Sequence, residues 1–202
     1  MFKIRTLDNG IRTIMQRVPY LNSITLGIII ESGSFYEDIN NNGVSHFIEH
    51  MLFKGTKNRN ARQIAEAIDD IGGQINAFTS KEHTCYYAKV LSEHMPIAVD
   101  VLSDMLNNST FDNNEIEKEK GVIIEEINMY QDFPEDLAFE LLNELLYGKM
   151  SLAMPILGTE ETVKSFTRDQ IVKYFYEKYN PKRMVIAAAG NLDEEEAYNL
   201  LN

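Results

Sequence analysis

The segment His46-Phe-Ile-Glu49-His50 gathers two of the chain's four histidines and a carboxylate. On a helix, side chains four apart stand one above the other, so both imidazoles can reach one metal ion. Glu49, three residues after His46, sits beside such an ion without having to ligate it. It can accept a proton from a water that the ion activates. At about 100° per residue, Val44, Phe47, Ile48, Met51 and Leu52 share one side of this helix, and His46, Glu49, His50 and Phe53 share the other. A polar, solvated face is the plain alternative, but the spacing is that of a metal-site motif.

Two histidines leave a catalytic zinc short of protein ligands. The stretch from Glu115 to Tyr130 offers more. Ile116, Val122, Ile123, Ile127 and Tyr130 form its apolar stripe, with Glu119 and Glu126 inside the stripe and Glu117 and Glu125 pointing away. A carboxylate on a buried face is costly unless it is paired or holds a metal. A cation shared with the imidazole pair would account for both residues; buried salt bridges to Lys or Arg are the alternative.

The elements that must position these residues can be read from periodicity and punctuation. An opening hairpin runs from Phe2 to Leu7, turns at Asp8-Asn9-Gly10 and returns from Ile11 to Arg17. In Ser23 to Glu31, Ile24, Leu26, Ile28 and Ile30 alternate onto one face of a strand. A loop, Glu37 to Gly43, leads into the histidine helix. A second helix, Ala61 to Ile71, ends at Gly72-Gly73, and strands Gln74 to Thr79 and His83 to Leu91 follow. Beyond Ser92 the pattern is helical: a segment with Ile97, Val101, Met105 and Leu106 on one face, then Asn113 to Gln131, Pro134 to Tyr147 and Arg168 to Tyr179. Arg183 to Ala189 reads as a buried strand, and Asp193 caps a last short helix. No linker or repeat divides the chain, so residues 1–202 are read as one domain. This pattern predicts an α+β fold with a mainly antiparallel sheet covered by helices.

Composition sets the outer bounds. Of 202 residues, 44% are hydrophobic and 25% charged, as in an ordinary globular protein. No run is long and apolar enough for a membrane span, and the first residues lack the apolar core of a secretory signal. The net charge of −12 repels phosphate backbones and counts against nucleic acid as a partner. A single cysteine, Cys85, rules out an internal disulfide framework and fits a reducing, cytoplasmic location. It reads as a small buried residue rather than a nucleophile. His83 is expected to pack or hydrogen-bond at a strand start and His94 to lie at the surface.

With these residues in hand the chain resembles the N-terminal half of a pitrilysin/insulinase-family zinc peptidase, an inverzincin, whose signature is H-x-x-E-H. The likeness continues through Met51-Leu-Phe-Lys-Gly-Thr56, Gly72-Gly-Gln-Ile-Asn-Ala-Phe-Thr79, Glu82-His-Thr-Cys-Tyr-Tyr87 and Glu119-Lys-Gly-Val-Ile-Ile-Glu-Glu126. Met150-Ser-Leu-Ala-Met-Pro-Ile-Leu-Gly158 departs from the His-Pro-Leu-Gly-Arg-Pro-like run usual there. The resemblance implies one Zn²⁺ per chain held by His46, His50 and Glu126, support from Glu119, and Glu49 as general base. It also implies that an extended peptide substrate pairs along Asn76, Ala77, Phe78 and Thr79. Relatives of this kind carry a second homologous half that closes over the first, so that half is expected in cis or as a separate chain. Two other classes compete. One is a non-catalytic peptide-binding or assembly subunit of the same fold, which the intact motif disfavours. The other is a metal-dependent lyase with a downstream cysteine ligand, which the position of Cys85 disfavours.

Overall fold

Six strands form one sheet in the order β1-β2-β6-β3-β5-β4. They are β1 (Lys3–Thr6), β2 (Arg12–Arg17), β3 (Ser23–Ile30), β4 (Gln74–Thr79), β5 (Thr84–Leu91) and β6 (Met184–Gly190). Every neighbouring pair is antiparallel except β2 with β6. The α+β fold with a mainly antiparallel sheet is therefore as expected. The computed structural model describes residues 3–202; Phe2, read above as the start of the first strand, lies outside them.

Eight helices accompany the sheet among the described residues: α1 (Val44–Leu52), α2 (Ala61–Asp69), α3 (Met95–Asn108), α4 (Asn113–Asp132), α5 (Pro134–Tyr147), α6 (Glu160–Ser165), α7 (Arg168–Lys178) and α8 (Glu194–Leu201). Helix α6 is an addition to the sequence reading. Its apolar content is too small for a periodic signal, and it is marked instead by Thr159, which accepts from the Thr162 amide in a capping box. Asp112 caps α4 and Asp193 caps α8, each accepting two backbone N–H groups.

The core lies between one face of the sheet and the helices. Ile24, Leu26, Ile28 and Ile30 of β3 are all buried, as their alternation predicts, and meet Val44, Phe47, Ile48, Met51 and Leu52 of α1 within one hydrophobic cluster. At about 1.5–3 kcal/mol for each large apolar side chain buried, these five residues fix which way α1 faces. Two stripe readings need correction. Val122 of α4 is exposed, because one residue of offset from buried Ile123 turns it 100° away from the core. Tyr130 is also exposed, at the open end of the same stripe. Ile97 and Leu106 of α3 are only partly buried, flanking the buried line of Ala98, Val101, Leu102 and Met105.

Candidate metal centre

Helix α1 packs between the sheet and α4, so the side opposite its apolar residues is not left to solvent. His46 and His50 come out on that side one turn apart, their rings 4.5 Å between centroids. Across from them α4 presents Glu126. Its Oε2 lies 3.8 Å from His46 Nε2 and 3.6 Å from His50 Nε2. Ligand atoms of all three residues lie within 4.8 Å of one another. Tetrahedral zinc with bonds of 2.0–2.2 Å would set its ligands about 3.4 Å apart, so the two measured pairs are a few tenths of an ångström wider than a closed site.

The donor set fits such an ion. Burial, and then the neighbouring His50, push His46 down to about 3, so its imidazole is neutral at ordinary pH. His46 Nδ1 is buried without a hydrogen-bond partner. His50 Nδ1 stands 2.9 Å from Glu119 Oε1; a carboxylate can only accept, so Nδ1 carries the proton and Nε2 is left with its lone pair. His46 Nε2, His50 Nε2 and Glu126 Oε2 therefore converge at distances too long for a hydrogen bond between them, an arrangement that a cation would bridge.

Glu119, in the middle of α4, is 2% exposed. Besides His50 it takes Lys54 Nζ at 2.6 Å on its other oxygen. Burial would raise its pKa, but the bonds from His50 and Lys54 outweigh that and hold it below the ordinary carboxylate range. Of the two explanations weighed for a buried carboxylate, Glu119 shows the buried salt bridge, to Lys54, and it braces one of the imidazoles, His50, besides. Glu126 sits at the edge of the stripe rather than inside it, its side chain 28% exposed, while Glu117 and Glu125 point into solvent as expected. Lys54 was not picked out from the sequence; it lies just beyond the end of α1, where periodicity no longer reports facing.

Glu49 is partly buried on the same side of α1 and accepts a hydrogen bond from Thr79 Oγ1 at 2.5 Å. Burial pushes its pKa up, and the Thr79 bond and the His50 ring partly offset this. Thr79 ends β4, one of the two edge strands of the sheet. Ala77, Phe78 and Thr79 line a cleft of about 380 Å³ together with His46, Glu49 and Glu126. Asn76 does not line it; its Oδ1 accepts the Ala77 amide at 2.8 Å, so a peptide pairing on that amide has to displace this side chain. The far wall, which sequence reasoning missed, comes from α5 through Asp136, Phe139, Glu140 and Asn143. An amphipathic pattern marks helices without saying that two consecutive ones fold back across a cleft.

The remaining candidates behave as plain structural residues. Cys85 is buried and unpaired, and burial raises its thiol pKa. His83 Nδ1 lies 3.1 Å from Ser80 Oγ, and His94 is partly exposed beside Glu93 at 3.6 Å.

Comparison with known proteins gives this geometry a family. The uncharacterized zinc protease YmxG of Bacillus subtilis is 53% identical over 194 residues, which make up 96% of this chain and 47% of that protein. The beta subunit of the mitochondrial-processing peptidase of Dictyostelium discoideum is 44% identical over 195 residues, 96% of this chain and 41% of that protein. The chain thus spans about half the length of the curated relatives it matches. The crystal structure of the periplasmic protease PqqL from Escherichia coli superposes with a TM-score of 0.91 at 27% identity, over 99% of this chain and 23% of that one. A protease from Helicobacter pylori shares the fold with a TM-score of 0.95 at 21% identity, over 100% of this chain and 49% of that one. Residues 165–202, which hold none of the residues of the site, match the model described as the peptidase M16 inactive domain. The model for insulinase (peptidase family M16) matches residues 12–160, from β2 to the start of α6 and across every residue of the site, and the chain belongs to that family.

Proposed function

We propose that this chain is the zinc-holding half of an endopeptidase that hydrolyses extended or unfolded peptides. The reading rests on one observation above all: His46, His50 and Glu126 bring three ligand atoms within 4.8 Å of one another, with a second carboxylate, Glu49, on the same cleft. These three residues would hold one zinc ion. When bound, such an ion lowers the pKa of a water towards about 7 and polarises a scissile carbonyl.

The chain's own residues supply the rest. Glu49 accepts the proton of the attacking water and later delivers it to the leaving amine; its raised pKa suits a group that must both take and give a proton. Thr79 aims that carboxylate through its hydroxyl. Glu119 fixes the tautomer and orientation of His50. The free edge of β4 offers main-chain donors and acceptors to an extended peptide along Asn76, Ala77, Phe78 and Thr79, which gives affinity with little choice of sequence. Relatives about twice as long support a second homologous half, in cis or as a separate chain, that closes over the cleft. So does α5, whose Phe139 lines that cleft at 62% exposure and whose Leu145 and Leu146 are 85% and 65% exposed. A buried free Cys85 suits a reducing compartment such as the cytoplasm.

Two measurements test this. Elemental analysis of protein prepared without chelator should find one zinc per wild-type chain, a loss of it in His50→Ala and Glu126→Gln, and no change in Glu125→Gln. Peptide hydrolysis, measured with a second half present, should fall by orders of magnitude in Glu49→Gln while zinc is retained. Full zinc in Glu126→Gln would remove that residue from the ligand set. Undiminished turnover in Glu49→Gln would leave the non-catalytic, peptide-binding subunit as the better reading.

A further inference from the structure

His46 is the third residue of α1. It stands in the first turn, where N–H groups have no intrahelical partners and helices fray most readily. A zinc ligand there needs a helix end that does not move. Yet the residue at the N-cap position, Gly43, has no side chain that could accept from the first turn. It is glycine because its φ is +93° and because a Cβ would lie 2.5 Å from the Leu157 carbonyl oxygen.

The missing acceptor comes from outside the helix. Glu37, read from the sequence as the start of a polar loop, is 6% exposed. Its Oε2 accepts from the Gly43 amide at 2.7 Å and from Asn42 Nδ2 at 3.0 Å, and its Oε1 accepts from the Ser45 amide at 2.8 Å. All three partners are donors, so both oxygens work as acceptors, and the carboxylate sits where the helix dipole favours negative charge. Asn42 Nδ2 also donates to the Pro155 carbonyl at 2.9 Å. Through it Glu37 is tied to the segment carrying Ile156 and Leu157, which lines the metal cleft.

We propose that Glu37 is a positioning residue for the metal centre: it holds the first turn of α1, and with it His46, in ligating position before any metal arrives. The proposal rests on the zinc reading above and adds to it a residue that touches neither metal nor substrate. A buried carboxylate held by three donors is preorganised, which is what a site needs to avoid reordering its ligands on binding. Replacing it by Gln turns one acceptor into a donor that faces backbone N–H groups.

The test is zinc affinity by chelator competition on the 202-residue chain, well below its melting temperature, for wild type, Glu37→Gln and Asp104→Asn. Asp104 is an equally buried acid that braces the loop after α1 and touches no residue of the metal centre, so its variant controls for lost stability. Glu37→Gln is expected to bind zinc about tenfold or more weakly, and Asp104→Asn to melt earlier with its zinc affinity unchanged. Equal zinc affinity in wild type and Glu37→Gln would overturn the proposal and leave the zinc reading standing. So would an equal loss in Asp104→Asn, which would make the effect one of general stability. Wild type that binds no zinc would sink both. If Glu37→Gln does not fold, amide exchange in metal-free wild type decides: slow exchange at Gly43 and Ser45 supports a preformed turn, and exchange at the rate of open chain rejects it.

Discussion

Glu119 serves two donors with its two oxygens: one accepts a hydrogen bond from His50 Nδ1, the other holds the Lys54 ammonium. Losing the ammonium alone would leave a buried charge with half its partners, and losing the carboxylate would leave both Lys54 and His50 unanchored. Glu119→Gln is therefore expected to weaken zinc binding about 10–100-fold, whereas Lys54→Met, which leaves the His50 bond in place, should cost less. Chelator competition on the two variants checks the order. A Lys54→Met variant worse than Glu119→Gln would mean that the lysine acts on the site by another route.

At the level of elements, two buried acids gather backbone on either side of α1, and only Glu37 bonds to the helix itself. Glu37 takes its N-terminus, and beyond its C-terminus the loop from Thr56 to Asn60 is gathered by Asp104 of α3. That carboxylate accepts from Thr56 Oγ1 at 2.7 Å, Asn58 Nδ2 at 2.6 Å, Asn108 Nδ2 at 2.8 Å and Arg59 Nη1 at 2.8 Å. Burial pushes its pKa up, but these four donors outweigh it and hold Asp104 at about 2. A carboxylate lowered from about 3.9 in the unfolded chain to about 2 contributes about 2–3 kcal/mol of stability. That contribution is complete above the unfolded value and is lost as pH falls through the folded one. About 1 kcal/mol of it should be gone by pH 3. Urea unfolding of wild type and Asp104→Asn at pH 6 and pH 3 checks this: the stability gap between them should narrow on acidification. A gap that stays constant would mean that Asp104 does not titrate in this window.

Seen whole, the molecule supplies ligands, base and sheet edge on one side of a cleft, and on the other a helix, α5, whose Phe139, Leu145 and Leu146 stay largely exposed. Productive catalysis requires the scissile bond to be held within about 0.5 Å of its reacting geometry and water to be kept out. The chain alone should therefore fold and bind zinc but hydrolyse peptides feebly. A homologous second half, in cis or as a separate chain, should restore turnover by improving orientation without altering the metal. Turnover per bound zinc, with and without that half, is the measurement. Efficient cleavage by the purified chain alone, abolished in Glu49→Gln, would dismiss the need for a second half and keep the peptidase reading.

What the sequence determined by itself was what periodicity and spacing can carry. The four-residue interval from His46 to His50 fixes two rings on one helix face, and the apolar residues between and around them fix which face turns to the core. The alternation of β3 does the same for the sheet. Glu119 and Glu126 could be singled out on α4 because charge in or beside an apolar stripe is costly, but periodicity alone could not say which was to meet the imidazoles. Only the tertiary structure decided that, since it depends on how α4 crosses α1: Glu126 faces the two Nε2 atoms, and Glu119 lies behind His50. The same holds for Glu37, Lys54 and the α5 wall. Their partners lie on other segments or beyond a helix end, where side-chain direction follows from packing and not from the order of residues along the chain.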